Sequence, residues 1–182
     1  MSSAFPYGPA MLLPLIAFSP FMAFESALLE SSTGLAFLWI FLPLFLTDLL
    51  LLITICEQYK GHAKRILVFY WLSPIVIYIT YIHGQLDIIP ITMTVVSFFA
   101  LSKNRFSAAG IWLGLAISAK LSMILASPFF LIYLLQNKRL RVKILDFIRG
   151  FIGMSIPAVL LPIISPGYRE MVLSTPERDR VF

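Results

Sequence analysis

Charged residues are scarce in this chain of 182 residues, since Asp, Glu, Lys and Arg together make up 13% of it. A soluble domain carries about 25% charged residues. Hydrophobic residues account for 59% of the chain, and its mean hydropathy is +0.91. The shortage of charge excludes an ordinary soluble domain and indicates a polytopic membrane protein.

Cysteine is almost absent as well. The single one, Cys56, lies in an apolar run, so the chain has no disulfide framework and no thiolate metal site. The chain also lacks a Gly-rich phosphate loop, a GxSxG string and an HExxH string. Its net charge of +5 comes from short loops between apolar segments, which does not indicate a nucleic-acid partner. We therefore expect no metal site, and a single membrane domain over residues 1–182.

Apolar segments fill most of the chain and predict an all-α, polytopic transmembrane helix bundle of about five spans. Segment 5–29 holds four prolines, which interrupt a straight helix, so we expect a juxtamembrane or broken helix there, on the outer face. The predicted helices cover residues 35–56, 66–82, 88–101, 106–119, 121–135 and 147–164. An outer-side tail, 166–182, follows them.

The basic residues indicate how the chain is oriented. Loops 57–65, 103–105 and 136–149 hold ten of the fourteen Lys and Arg residues. Cytoplasmic loops are enriched in Lys and Arg, so these three loops are predicted to lie inside. Loop 83–87 and the tail then lie outside.

Lys120 interrupts the long apolar run from Phe106 to Leu135, which has basic residues on both sides. If both flanks are cytoplasmic, this run must fold into a two-armed hairpin with Lys120 near its outer tip. An ammonium group is costly in a membrane unless it has a partner or reaches the interface. Lys120 is therefore either a binder of phosphate or lipid headgroups, or an anchor that snorkels to the interface.

Four other polar residues are candidates for a site. Asp87 either caps the helix that follows it or acts with Gln85 on a polar headgroup or a catalytic loop. His83 reads as an interfacial polar residue in the same loop. Asp48 lies inside a predicted span, where it is either hydrogen-bonded to Tyr or Thr or serves as a proton or ion site.

Taken in order, a set of short strings resembles the GT-C class of integral membrane glycosyltransferases. The similarity in pattern is to the GPI mannosyltransferase I type, to dolichyl-phosphate-sugar-dependent glucosyltransferases and to bacterial polyprenyl-phosphate-dependent relatives. The strings are Phe5–Pro9, Leu46–Leu50, Trp71–Pro74, His83–Asp87, Gly110–Lys120 and Ser127–Phe130.

The resemblance implies transfer of a hexose from a polyprenyl-phosphate-linked donor to a glycan or lipid acceptor at the outer or luminal face. It implies an integral protein of a bacterial inner membrane or of the endoplasmic reticulum, surrounded by membrane lipids. Lys120 matches a lysine expected to hold the donor phosphate, and Gln85, Asp87 and His83 match a polar loop expected to shape the pocket. A divalent metal stays open as a cofactor of a complete enzyme.

One departure from the resembled class concerns its essential acidic residue, which precedes the aromatic-proline string in an outer loop. Only four residues precede Phe5 here, so the catalytic carboxylate is unassigned. We therefore expect a central fragment that is inactive alone, which is a gene fragment, a split subunit with a complementing subunit as its partner, or a truncated remnant. The alternatives are a small transporter or channel subunit that uses Asp48 and Lys120 along a polar path, and a non-catalytic membrane scaffold.

Overall fold

The computed structural model describes residues 7–14, 16–17, 36–138 and 140–164. All secondary structure in these ranges is helical, which confirms the all-α prediction. Most of the predicted outer-face segment 5–29 and the whole tail 166–182 lie outside the described residues.

The α-helices of the described ranges are, in chain order, α1 (Ala36–Gln58), α2 (Ala63–Ile66), α3 (Pro74–Ile77), α4 (Ile88–Ser102), α5 (Phe106–Ala119), α6 (Ser127–Gln136) and α7 (Ile144–Ile164). The π-helical turns Leu67–Trp71 and Tyr78–Ile82 continue α2 and α3. Three 3-10 segments precede or join the helices, at Pro9–Met11, Leu121–Ala126 and Arg141–Lys143.

The described helices do not confirm all of the predicted five spans. By length and composition, Phe41–Gln58 within α1 qualifies, and Ala63–Trp71 with Pro74–Ile82 adds a second if the bent pair counts as one span. Helices α4 and α5 and the segment Leu121–Gln136 are apolar but shorter. Short apolar helices need shelter from neighbouring helices or a locally thinner bilayer.

The bent pair corrects the prediction of one helix over residues 66–82. The chain bends by 48° between its two halves. Pro74 begins the second half, and Ser73 before it is extended, with φ −64° and ψ 123°. The break arises because proline donates no backbone hydrogen bond and forces the preceding residue out of the helical region.

A hairpin forms around Lys120. Helix α5 ends at Ala119, and Lys120 is extended at φ −147° and ψ 115°, so no continuous helix passes through this point. In the returning arm, the Phe130 ring stacks on the Phe147 ring at 5.9 Å between centroids, and the Phe147 backbone lies against Gly110. Gly110 and Phe130 are each ten residues from Lys120 and both contact Phe147, so the chain turns back on itself around Lys120.

Helices α5 and α7 approach until their backbones touch. A Cβ atom built on Gly110 would lie 2.0 Å from the Phe147 carbonyl oxygen, and one on Gly150 would lie 2.4 Å from the Ser107 carbonyl oxygen. Small residues allow this approach in membrane helix pairs, where close van der Waals packing drives association. Helix α4 joins α5 through the buried Ser97 hydroxyl, which donates to the Ala109 carbonyl at 2.6 Å.

Two apolar clusters fill the interior of the described part of the chain. The first lies between the hairpin, α4 and α7 and comprises Leu101, Phe106, Ala109, Leu113, Ile117, Phe130, Leu134 and Phe147. The second lies at the Lys120 end of α5 and comprises Ala10, Met11, Leu44, Leu51, Ile88, Ile89 and Ala119. The second cluster attaches the N-terminal turn to α1, α4 and α5, and it includes Ala119, the residue before Lys120.

The glycine contact between α5 and α7 gives a stability prediction. We expect Gly110→Ala to lower the thermal unfolding temperature, because the added methyl forces the helices apart at a typical overpacking cost of about 1–3 kcal/mol. Gly153→Ala is the matched control, since a Cβ there meets nothing within 4 Å. It should be neutral or stabilising by up to about 1 kcal/mol, the helix-propensity gain of alanine. Thermal unfolding of the purified variants in detergent measures both, and equal effects would contradict the close approach.

Candidate functional site

An ion pair joins Lys120 to Asp87. The Lys120 Nζ donates to both Asp87 carboxylate oxygens at 2.7 Å, and the two side chains are 31% and 25% exposed. Lys120 follows the last residue of α5, and Asp87 precedes the first residue of α4. The packing of α4 on α5 therefore brings together two charges that are far apart in sequence.

Asp87 does not cap α4, so the capping interpretation is wrong. It occupies the N-cap position, but its backbone is already helical, with φ −63° and ψ −21°, and its side chain makes no capping hydrogen bond. A capping carboxylate needs an extended backbone so that its oxygen can reach the first free N–H groups. Its carboxylate pairs with Lys120 instead.

Tyr7 completes the cluster, which is called the Lys120 site from here on. Its ring centroid lies 5.7 Å from the Lys120 Nζ, within range of a cation–π interaction. Burial raises the pKa of the Tyr7 phenol above its ordinary value, and the charge of Asp87 and a hydrogen bond to that carboxylate raise it further. A backbone hydrogen bond at Leu86 acts in the opposite direction. The phenol therefore stays protonated and serves as a donor.

The N-terminal string is fixed against the end of α5. The Gly8 N–H donates to the Ala119 carbonyl at 2.7 Å, which occupies one of the free carbonyls of that helix end. Sequence reasoning did not single out Tyr7, although Tyr7 lies within the aromatic-proline string Phe5–Pro9. That string was the available signal for it.

Gln85 and His83 lie in the same loop as Asp87. Gln85 is half-buried and its N–H donates to the Ile79 carbonyl at 3.1 Å, while His83 is exposed and its ring lies 6.4 Å from that of Tyr78. Gly84 between them has φ +68°, a left-handed conformation that favours glycine. Gly84 thus turns the chain toward Asp87.

Asp48 is fully buried and forms a separate cluster with three aromatic side chains. Its carboxylate accepts hydrogen bonds from the Tyr70 hydroxyl, from the Trp71 Nε1 at 2.9 Å and from the Tyr81 hydroxyl at 2.6 Å. Tyr70 and Trp71 belong to the first half of the bent pair and Tyr81 to the second. A buried charge is tolerated when hydrogen bonds replace its lost hydration, so this cluster fits the hydrogen-bonded interpretation rather than an ion path.

An exposed apolar surface begins immediately after the ammonium. Leu121, Ile124 and Leu125 in the 3-10 segment are all exposed. A half-exposed cation next to such a surface can bind a ligand that has an anionic head and an apolar tail. In the part of the chain that the structure describes, no group of three or more His, Cys, Asp or Glu residues could hold a metal ion.

Comparison with known proteins gives one finding. The sequence model of glycosyltransferase family 87 matches residues 5–173 and so covers Tyr7, Asp48, the loop 83–87 and Lys120. No curated protein and no solved structure matches the chain. The match extends over far more than half of the chain and confirms the GT-C resemblance.

The ion pair gives a second stability prediction, tested by a double-mutant cycle. We expect Lys120→Gln and Asp87→Asn each to lower the unfolding temperature, because each leaves the other charge unpaired in a half-buried place. The double variant should lose less than the sum, with a coupling of about 1 kcal/mol, within the range for residues in contact. Thermal unfolding of the four proteins measures the coupling. Strictly additive effects would show that the pair contributes nothing to the folded state.

Proposed function

The chain belongs to glycosyltransferase family 87, a family of the GT-C type, and from this premise we propose that Lys120 binds the donor phosphate in sugar transfer. The donor is a hexose linked to a polyprenyl phosphate, as in mannosyltransferase-like GT-C enzymes, and the acceptor is a glycan or a lipid. Transfer takes place at the outer or luminal face of a bacterial inner membrane or of the endoplasmic reticulum. The observation that carries this proposal is the half-exposed Lys120 ammonium at the tip of the hairpin.

In the proposed reaction, the Lys120 ammonium stabilises the leaving phosphate. An acceptor hydroxyl attacks the anomeric carbon of the donor sugar, and the bond from that carbon to the phosphate oxygen breaks. The bonding electrons leave with the polyprenyl phosphate, and the hydroxyl proton passes to a base. Lys120 donates to the departing phosphate, where negative charge develops in the transition state.

The surroundings of Lys120 support an amphiphilic donor. Leu121, Ile124 and Leu125 expose apolar side chains in the segment that follows Lys120 in the chain, which suits an isoprenyl tail attached to the phosphate. Gln85, Asp87 and His83 belong to the polar loop that supplies the partner of Lys120, where hydroxyl groups of a sugar would find hydrogen-bond partners. We assign these three residues to the pocket.

The base for the acceptor is not among the described carboxylates. Asp48 is buried within its own hydrogen bonds, and Asp87 is held by Lys120. Glu57 lies at the end of α1 and Asp146 in the first turn of α7, within the two basic segments that the charge pattern assigns to the cytoplasmic side. Five further carboxylates lie outside the described residues, on Glu25, Glu30, Glu170, Glu177 and Asp179. We propose that a complementing subunit or segment supplies the base and that this chain alone does not turn over, and a divalent metal stays open as part of that addition.

The proposed orientation is tested by single-cysteine labelling in intact cells, in a Cys56→Ala background. We expect Gln85→Cys to react with a membrane-impermeant maleimide, because loop 83–87 lacks Lys and Arg and is assigned to the outer face. Asn104→Cys, in a basic loop, should react only after permeabilisation. Labelling at 104 without labelling at 85 would reverse the topology and move the Lys120 site to the cytoplasmic face.

The proposed activity is tested with membranes that contain the chain together with the products of its neighbouring reading frames. We expect hexose transfer from polyprenyl-phosphate donors in this system and none from the isolated chain. Lys120→Gln should lower transfer by about 10²–10³-fold, the usual loss of one transition-state donor.

Lys103→Gln is the matched control, because this exposed lysine lies at the opposite end of α4. It should leave transfer unchanged. Turnover by the isolated chain that disappears in Asp87→Asn would show that Asp87 is the base and that no complementing carboxylate is needed.

A further inference from the structure

The Lys120 site is already occupied by an anion that belongs to the protein. Both oxygens of Asp87 lie 2.7 Å from the Lys120 Nζ, the distance of a charge-assisted hydrogen bond. A phosphate oxygen that approached the same ammonium would stand next to this carboxylate. Like charges at such a separation repel each other strongly, so the carboxylate and the phosphate cannot both bind the ammonium closely at the same time.

We propose that the Asp87 carboxylate occupies the phosphate-binding position on the Lys120 ammonium, and that the lipid-linked phosphate displaces Asp87 from Lys120 on binding. The proposal rests on the proposed function, since it takes Lys120 as the phosphate-binding residue. In addition, Asp87 and the donor phosphate compete for Lys120, and this competition sets the affinity of the protein for the donor.

The exchange keeps one singly charged partner on the ammonium. A phosphate that links a sugar to a polyprenyl chain is a diester and carries one negative charge, as the Asp87 carboxylate does. Lys120 is therefore paired both before and after the exchange, so that no unpaired ammonium remains in the resting state. The displaced carboxylate stays in the same loop, so the site gains one negative charge when the phosphate binds.

The geometry leaves Asp87 free to move. Its side chain makes no capping hydrogen bond to α4, so its departure from Lys120 breaks no helix cap. Both charged side chains are partly exposed, so an incoming phosphate can reach them. Tyr7 supplies a second partner, because its phenol bonds to Asp87 while its ring faces the Lys120 ammonium. The displaced carboxylate therefore keeps a hydrogen bond.

The test measures equilibrium binding of geranyl phosphate to the purified full chain in detergent, by isothermal titration calorimetry at about pH 5, where this monoester carries mainly one negative charge, like the diester of the donor. Geraniol, with the same tail and no phosphate, is the matched neutral compound. We expect Asp87→Asn to bind geranyl phosphate about tenfold more tightly than the wild-type chain, because the internal competitor is removed.

Tyr7→Phe should weaken geranyl phosphate binding a few-fold, because the displaced Asp87 loses the hydrogen bond that it keeps after leaving Lys120, while the aromatic ring over Lys120 remains. Lys120→Gln should abolish the preference for geranyl phosphate over geraniol, and Lys103→Gln should leave it unchanged. Asp87→Ser gives the same readout if Asp87→Asn does not fold.

The outcomes separate this proposal from the proposed function. Unchanged or weaker binding of geranyl phosphate in Asp87→Asn would overturn the exchange. If the preference for geranyl phosphate over geraniol were still lost in Lys120→Gln, the phosphate-binding role of Lys120 would remain intact. A preference for geranyl phosphate that survives Lys120→Gln would refute Lys120 as the phosphate site, and the exchange with it. Tighter binding in Asp87→Asn without any sugar transfer in the complete system would uphold the exchange and refute the transferase proposal.

Discussion

The cost of placing an ammonium group at the end of an apolar helix determines how this chain is arranged around Lys120. Helix α5 ends one residue before it, so that the side chain leaves the helix and meets the Asp87 carboxylate. The start of α4 and the N-terminal string both converge on the same point. Gly8 bonds to the Ala119 carbonyl, and Tyr7 is thereby carried over the ammonium. The turn of the hairpin, the position of the loop and the site are thus consequences of one charge that needs a partner.

A buried charge, that of Asp48, controls the loop that supplies that partner. Asp48 bonds to groups on both halves of the bent pair, across the break that Pro74 causes. The second half leads through Gly84 directly to Asp87. Asp48 therefore fixes the course of the chain toward the Lys120 site without contacting it. This role, together with the family match, favours a glycosyltransferase over a transporter with an ion path along Asp48 and Lys120.

The sequence predicted the features that depend on local composition. The basic flanks of the apolar run placed the hairpin turn at Lys120, and apolar segment lengths placed α4 and α5 within about one residue of their ends. It did not predict the pairing of Lys120 with Asp87, because 33 residues separate them and a single sequence holds no information on which distant charges meet. The hydrogen-bond partners of Asp48 could not be predicted for the same reason. Pro74 was a visible signal for the break in 66–82, but the apolar run around it outweighed that signal.

The contact between the α5 and α7 backbones has a mechanical consequence. Helices this close cannot slide independently, and the Ser97 hydrogen bond adds α4 to the same unit. Lys120 and Asp87 both lie on that unit, so a change in bilayer thickness tilts it as one piece and leaves the gap between the two charges almost constant. The bent pair is exposed on most of its surface and lies outside that unit. The distance between Lys120 and Asp87 is in this way insensitive to the elastic state of the surrounding lipid.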